Sequence, residues 1–304
     1  MRFTTIAGMN RSSAMFDTNT STKPGSPEPS ASASTDAQPG GNGSSALTRL
    51  LQILDMFTLD HPQVHVDEVV TTFAVGQSTA YRYLRELSEA GLVSSRGKGF
   101  YSLGRHIVEL ERMLQLSDPL LLAGKPVMDT LHPFCVNRAF LLCTPYNDRV
   151  LCVHKVGADD VVQAGRPMPI QRGRGTIYPL FLGAGSQIIL AHLPPHQIKS
   201  LFLSSSQEIA DSGLGATWKD FRTSLSAIRK QGHTRTLGRV NPGMHSIAVP
   251  ILKHDGRVAG SLLMLGAAEE AQESIQLISM LQEKAAVIST ALADLEDASS
   301  EEGS

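Results

Sequence analysis

The stretch Ser78-Thr79-Ala80-Tyr81-Arg82-Tyr83-Leu84-Arg85-Glu86-Leu87 constrains the fold of this chain more than any other. At helical period, Ala80, Leu84 and Leu87 share one apolar face, with Tyr83 beside them. Tyr81, Arg82 and Arg85 point roughly the other way, as planar, donor-rich side chains that suit base edges and phosphates. Ser78 stands at the predicted helix start, where its hydroxyl can cap the helix or bond a phosphate. Gly91 is the predicted C-cap. Residues 92–103 then form two short apolar-alternating runs around Arg96-Gly97-Lys98-Gly99, a glycine-spaced basic tip and a hairpin signal. Upstream, residues 66–73 read as a partner helix and Val75-Gly76 as a short turn. An amphipathic helix with two arginines is usually an ordinary surface helix. Here its neighbours make a helix, turn, helix and basic hairpin, which predicts a winged helix-turn-helix.

Charge supports that reading locally. Between residues 78 and 105, Arg82, Arg85, Arg96, Lys98 and Arg105 face only Glu86 and Glu89, whereas the whole chain carries −2. Attraction for duplex DNA must therefore come from this module and not from the overall field.

At 304 residues the chain has room for two domains. Residues 1–45, rich in Ser, Thr, Pro, Gly and Ala, cannot bury enough apolar area to offset chain entropy and are expected to be a disordered tail. Met9 and Met15 are alternative starts. The DNA-binding domain is placed at 46–104, a linker helix at 105–117, a second domain at 118–297 and a disordered acidic tail at 298–304. Leu47, Leu50, Leu51, Leu54 and Phe57 recur as one helical stripe, expected in the small domain's core with area to spare for a dimer contact. No apolar run approaches the roughly 18 residues that span a bilayer, and no secretory leader follows Arg2 or Arg11. A cytoplasmic protein is expected.

From residue 137 the texture changes. Strands are predicted at 139–143, 150–156, 161–164, 233–237, 246–253 and 258–265, with His254-Asp255-Gly256 as a hairpin turn. Helices are predicted at 183–192, 218–231 and 267–295. The mixture makes an α+β domain of sensor type.

Four segments in order carry a resemblance: Gln77-Ser78-Thr79-Ala80-Tyr81-Arg82, Tyr101-Ser102-Leu103-Gly104, Leu190-Ala191-His192-Leu193-Pro194-Pro195, and Asn241-Pro242-Gly243-Met244-His245-Ser246-Ile247-Ala248-Val249-Pro250. Together they resemble the IclR family of bacterial transcriptional regulators. The resemblance implies an N-terminal winged helix-turn-helix joined by a linker helix to a GAF-like effector-binding domain. It also implies homodimers, often paired into tetramers, on palindromic double-stranded operators. Gln77, Ser78, Thr79, Tyr81, Arg82, Arg85, Arg96 and Lys98 are then the DNA-contacting residues. Where relatives usually have Lys or Arg before the Ser-Thr pair, this chain has Gly76-Gln77, an amide able to pair with adenine.

The resemblance places the effector at Ala184 and Gly185, whose N–H groups at a helix start can bind a carboxylate, and at Thr236, Ser246, Leu263 and Leu265. Ser246 stands where relatives often have a thiol. Leu263 and Leu265 replace hydroxyl residues of small-acid sensors, and an acidic position after Gly232 is lost. Such a pocket suits a hydrophobic or aromatic effector.

Two rivals remain at the level of sequence. The second domain could serve oligomerisation alone. It could instead be an enzyme using Cys152 and His154, two apart on one strand and so expected on one face, but no orienting acid or oxyanion element accompanies them. Cys135, Cys143 and Cys152 have no metal-site spacing, and Pro194-Pro195 separates His192 from His196. Gly183-Ala184-Gly185 lacks the Lys-Ser/Thr of a phosphate loop. Arg166, Arg172 and Arg174 are candidates to face an anionic effector. No catalytic residue, metal or cofactor is assigned.

Overall fold

The computed structural model describes residues 45–170, 173–238, 243–268 and 274–302. The predicted tail before residue 45, Arg172 and the Asn241-Pro242 pair lie outside them.

Helix α1 (Ala46–Gln52) runs into a 3-10 turn (Ile53–Met56). Leu50, Leu54 and Phe57 of the predicted stripe pack against the small domain's core. Leu47 and Leu51 are exposed, whereas Ile53, outside the stripe, is fully buried. The tightening to 3-10 geometry at residue 53 changes the period there and turns Ile53 into the core.

Strand β1 (Gln63–His65) leads into α2 (Val66–Phe73), where His65 Nδ1 accepts the Asp67 N–H and the Glu68 carboxylate accepts the His65 N–H. These bonds satisfy donors that a helix start leaves open. Ala74 takes a left-handed φ of 50° and turns the chain into α3 (Gln77–Glu89). Ala80, Tyr83, Leu84 and Leu87 on α3 are buried with Val66, Val69 and Ile53.

Helix α3 ends in a Schellman arrangement. Gly91 has φ 70°, its N–H bonds Ser88 O, and the Leu92 N–H reaches Leu87 O. Strands β2 (Val93–Gly97) and β3 (Phe100–Leu103) follow, with β1 pairing against β3 in a three-stranded sheet. Helix α4 (His106–Ser117) buries no residue, and α5 (Pro119–Asp129) begins with Asp118 accepting the Leu121 N–H.

The second domain is built on a six-stranded antiparallel sheet. Its chain-order strands are β4 (Arg138–Tyr146), β5 (Arg149–Gly157), β8 (Ile177–Pro179), β9 (Thr234–Leu237), β10 (Met244–Leu252) and β11 (Val258–Ala267). Across the sheet they lie in the order β8-β5-β4-β11-β10-β9. Strands β6 (Asp160–Gln163) and β7 (Arg166–Pro169) form a separate ribbon.

One sheet face packs on α6 (Ala184–His192), with α7 (Pro195–Ser204), α8 (Ser206–Asp211) and α9 (Trp218–Gln231) beyond it. The other face packs on α5 and α10 (Ser274–Glu302). Strands β4, β5, β10 and β11 therefore send alternate residues into two cores.

Helix α9 matches its predicted bounds, with the Thr217 side chain accepting the Asp220 N–H and Gly232 at φ 69° closing it. The closing helix does not. Ala267 belongs to β11, and α10 runs to Glu302, past the point where the tail was expected. Strands β7 and β8 and helices α7 and α8 were not anticipated.

Gly104 joins the winged module to α4. A Cβ there would lie 1.9 Å from the Gly91 carbonyl oxygen, a backbone atom that cannot swing aside. Gly104→Ala should therefore destabilise the protein by on the order of 3 kcal/mol, measured as a lowered urea midpoint in a circular-dichroism titration. An unchanged midpoint would show that the two backbone segments separate freely.

Candidate nucleic-acid interface and effector site

The outer face of α3 carries most of the residues that the sequence nominated. Gln77, Ser78, Tyr81, Arg82 and Arg85 are exposed, and Thr79 is half-buried. The cap is Gly76 in extended conformation with no side-chain bond, so Ser78 lies inside the first turn and does not cap it. Its hydroxyl is thereby left to outside partners.

Arg82 and Arg85 make i,i+4 contacts with Glu86 (4.0 Å) and Glu89 (3.7 Å), and the Arg82 guanidinium lies 5.7 Å from the Tyr83 ring centre. Exposed pairs of this kind hold a side chain by only about 0.3–0.5 kcal/mol, so both arginines can turn to phosphate or base. Tyr101 of β3 joins Ser78, Tyr81, Arg82 and Arg85 in lining one shallow groove. Sequence reasoning missed it. Burial, and then the nearby Tyr81, hold its phenol above the usual value.

At the wing tip Gly97, Lys98 and Gly99 all have positive φ. His65 Nε2 contacts Lys98 O at 3.1 Å and its ring packs on Phe100. The tip is thus tied to the start of α2. Arg96 is laid along the hairpin, donating through Nε to Ser102 Oγ at 2.8 Å. Lys98 is exposed.

The six effector candidates all lie on the α6 side of the sheet or at the start of α6. Thr236, Ser246 and Leu265 form one cross-strand row, and the two hydroxyls bond at 2.7 Å. Leu263 lies one row away, fully buried, against Gly185, where an added Cβ would meet its Cδ2 at 2.3 Å. Ala184 and Gly185 begin α6 after Gly183, which has φ 84° and gives no side-chain cap. Ser261, also missed, is fully buried and donates to Gly185 O at 3.0 Å. Its place two residues before Leu263 on β11 was the available signal.

The structure separates Cys152 from His154. A bulge makes Leu142 face His154 and Cys143 face Cys152, leaving Val153 as the extra residue. Cys152 therefore joins the α6-side core with Cys143, while His154 turns to the α5 side near Lys125 and Asp129. The expectation that both share one face is corrected, and the Cys–His pairing goes with it.

Arg174 pairs with Glu111 of α4 and donates through Nε to Val153 O, and Arg166 is exposed on β7. Among the described residues no His, Cys, Asp and Glu group could hold a metal, and no helix is long and apolar enough to cross a membrane.

Residues 46–97 match the IclR helix-turn-helix domain, and residues 119–290 the C-terminal domain of the bacterial transcriptional regulator IclR. The chain is 23% identical over 227 residues to the HTH-type transcriptional regulator KipR of Bacillus subtilis, covering 74% of this chain and 87% of that protein. The crystal structure of an IclR regulator from Alicyclobacillus acidocaldarius superposes with a TM-score of 0.65 at 19% identity, over 81% of this chain and 98% of that one. An IclR homologue from Microbacterium hydrocarbonoxydans, crystallised with 4-hydroxybenzoate, superposes with a TM-score of 0.65 at 20% identity, over 82% and 99%.

Fold and matches together define a transcriptional regulator with a DNA-binding helix-turn-helix and an effector-binding C-terminal domain. The chain belongs to the IclR family, whose members are regulators and not enzymes.

Burial pushes the His154 imidazole below its usual value, with Lys125 adding to it and Asp129 opposing. Burial does the same at His192, against the opposing bond to Ile188 O. Both folded-state values are lowered, so the unfolded chain takes up protons first and stability rises with pH. Acidification from pH 7.5 to 5.5, through the usual 6.5, should lower the denaturation midpoint. His154→Gln should shrink that drop, as two denaturant titrations per variant will read.

Proposed function

We propose that this protein binds a palindromic operator as a homodimer or dimer of dimers, acting in the cytoplasm. Its grip is controlled by a hydrophobic or aromatic carboxylate held between the start of α6 and strands β9 to β11. The observation that carries the effector reading is the convergence of an uncapped helix start, a hydroxyl pair and two leucines on one sheet face. The α6 N–H groups take the carboxylate, Thr236 and Ser246 give polar contacts, and Leu263 and Leu265 wall the ring. The 4-hydroxybenzoate in one structural neighbour has this chemistry.

On the DNA side, α3 enters the major groove with Arg82 and Tyr81 toward bases, while Gln77 can pair with adenine. Ser78, Thr79, Arg85, Arg96 and Lys98 meet phosphates and fix the register. Val108, Met113, Leu114 and Leu116 are more than half exposed on α4, an apolar surface that suits a second copy of the chain.

Arg82→Ala should weaken operator binding by about 1–3 kcal/mol and relax preference at one base pair. Lys98→Ala should weaken all sequences alike and flatten the salt dependence. Gel-shift titrations at several salt concentrations separate the two patterns, and identical patterns would sink the assignment of base and phosphate roles.

A panel of aromatic acids including 4-hydroxybenzoate tests the sensor. A ligand at 100 times its dissociation constant should add roughly 2.7 kcal/mol to stability, read by thermal shift. A module serving oligomerisation alone would not respond. Leu265→Ser should move the preference toward more polar acids, and an unchanged ligand profile would displace the pocket from this face.

A further inference from the structure

We propose that a second ligand site, for a small polyvalent anion, lies in the cleft between α7 and α9, at the opposite end of α6 from the effector pocket. It stands independently of that pocket. Helix α6 has nine residues, so its two ends are about 12 Å apart at the usual rise.

The sequence builds the cleft by helical spacing. Trp218, Arg222, Ser226 and Arg229 recur along α9 at i, i+4, i+8 and i+11, and so present one face. His196 and Lys199 do the same three apart on α7, and the last turn of α6 forms the floor. The cleft, open on one side to solvent, has a volume of about 530 Å³, within the usual range of small-molecule sites.

No acidic residue lines this space, and among the described residues Lys199, Arg222 and Arg229 have no carboxylate partner. Five other cations are paired, Arg82 with Glu86, Arg85 with Glu89, Arg174 with Glu111, Lys253 with Glu296 and Arg257 with Asp255, and none of these lines the cleft. Three uncompensated cations around one cleft repel each other, and an anion removes that repulsion while taking charge-assisted hydrogen bonds.

One of the cations is also held in place by a hydrogen bond, and a second lies against an aromatic ring. Arg229 Nε donates to Ala191 O at 2.7 Å, leaving its terminal nitrogens for a ligand. The Arg222 guanidinium lies over the Trp218 ring at 5.9 Å. A bidentate guanidinium suits carboxylate and phosphate alike, so the ligand is a small molecule carrying two or more of either group.

Trp218 is the chain's single tryptophan, so its emission reports this cleft directly. Full-length protein is titrated with citrate and with pyrophosphate at constant ionic strength, against sodium chloride and a hexaglutamate peptide. A saturable emission change with citrate alone assigns a polycarboxylate, with pyrophosphate alone a polyphosphate, and either supports the site.

The double variant Lys199→Ala/Arg222→Ala should weaken that binding by roughly a hundredfold, about tenfold per lost charged bond. Both side chains are exposed, and Lys199→Gln alone provides a milder second variant. The double variant should keep its thermal shift with aromatic acids, which separates this site from the effector pocket. No saturable change with either anion, equal affinity in wild type and both variants, or saturation by hexaglutamate alone overturns the proposal.

Discussion

Two backbone segments touch at Gly91 and Gly104, and the aim of the DNA-reading face depends on that contact. The Gly104 N–H bonds Leu92 O at 2.8 Å and the His106 N–H bonds Gly91 O at 3.2 Å. The exit of α3, the return of the wing and the first turn of α4 are thereby tied by main chain. A side chain at residue 104 would force them apart. The recognition helix cannot rotate against α4 without breaking these bonds, so the winged module and α4 move as one body. Contacts from α4 to the second domain are of another kind. They include the Glu111–Arg174 pair and the Lys125 Nζ to Gln115 Oε1 bond of 3.0 Å, made by partly exposed side chains. Such contacts contribute little each, which places the softer joint after α4 and not before it.

In the second domain the corresponding constraint is the close seat of α6 on the sheet. Gly185 lies directly on Leu263, and Ser261 holds its carbonyl. All of α6 except its last residue is buried, so little slack separates the helix from β10 and β11. A group entering beside Gly185 must displace Leu263 or lift the helix. Packed interiors respond to such insertion by switching arrangement and not by gradual deformation. At the far end Arg229 grips the Ala191 carbonyl, so a shift of α6 also reaches α9.

Much of this was legible in the sequence where one rule acts alone. Helices α2, α3 and α9 follow from periodicity plus turn and cap residues, and Gly91 and Gly232 mark their ends because each needs a positive φ. The nomination of Thr236, Ser246 and Leu265 came from the resemblance, whereas the cross-strand row with Ser246 between the other two is given by the sheet register alone. Errors arose where local and tertiary effects compete. The Leu47–Phe57 stripe supplies Leu50, Leu54 and Phe57 to the core but did not include Ile53, which the 3-10 turn brings inward. Strand β7 carries Pro167 and Pro169, which argue against a strand, yet it forms half of a two-stranded ribbon where missing donors matter less. Cys152 and His154 parted because one bulged residue reverses alternation, and no single-strand pattern announces a bulge. Tyr101 was missed because it joins its groove through α3, distant in sequence, and Ser261 was missed although it shares a face of β11 with Leu263.

The distribution of charge connects the two halves of the molecule. A chain of net charge −2 gains nothing from its overall field when it approaches a polyanion, and at physiological salt a surface charge is felt only to about 8 Å. Affinity for DNA must therefore be concentrated in the few cations that reach the duplex. Glu86 and Glu89 on α3 weaken even these in the free protein by pairing with Arg82 and Arg85. That pairing taxes every sequence equally, because it must be broken before any phosphate contact forms. A cost common to all sequences lowers the overall grip and leaves the difference between one sequence and another unchanged, so discrimination has to come from base contacts. Lys98 is aimed by its backbone and not by an ion pair, which under the proposed roles gives it reach and leaves choice to α3.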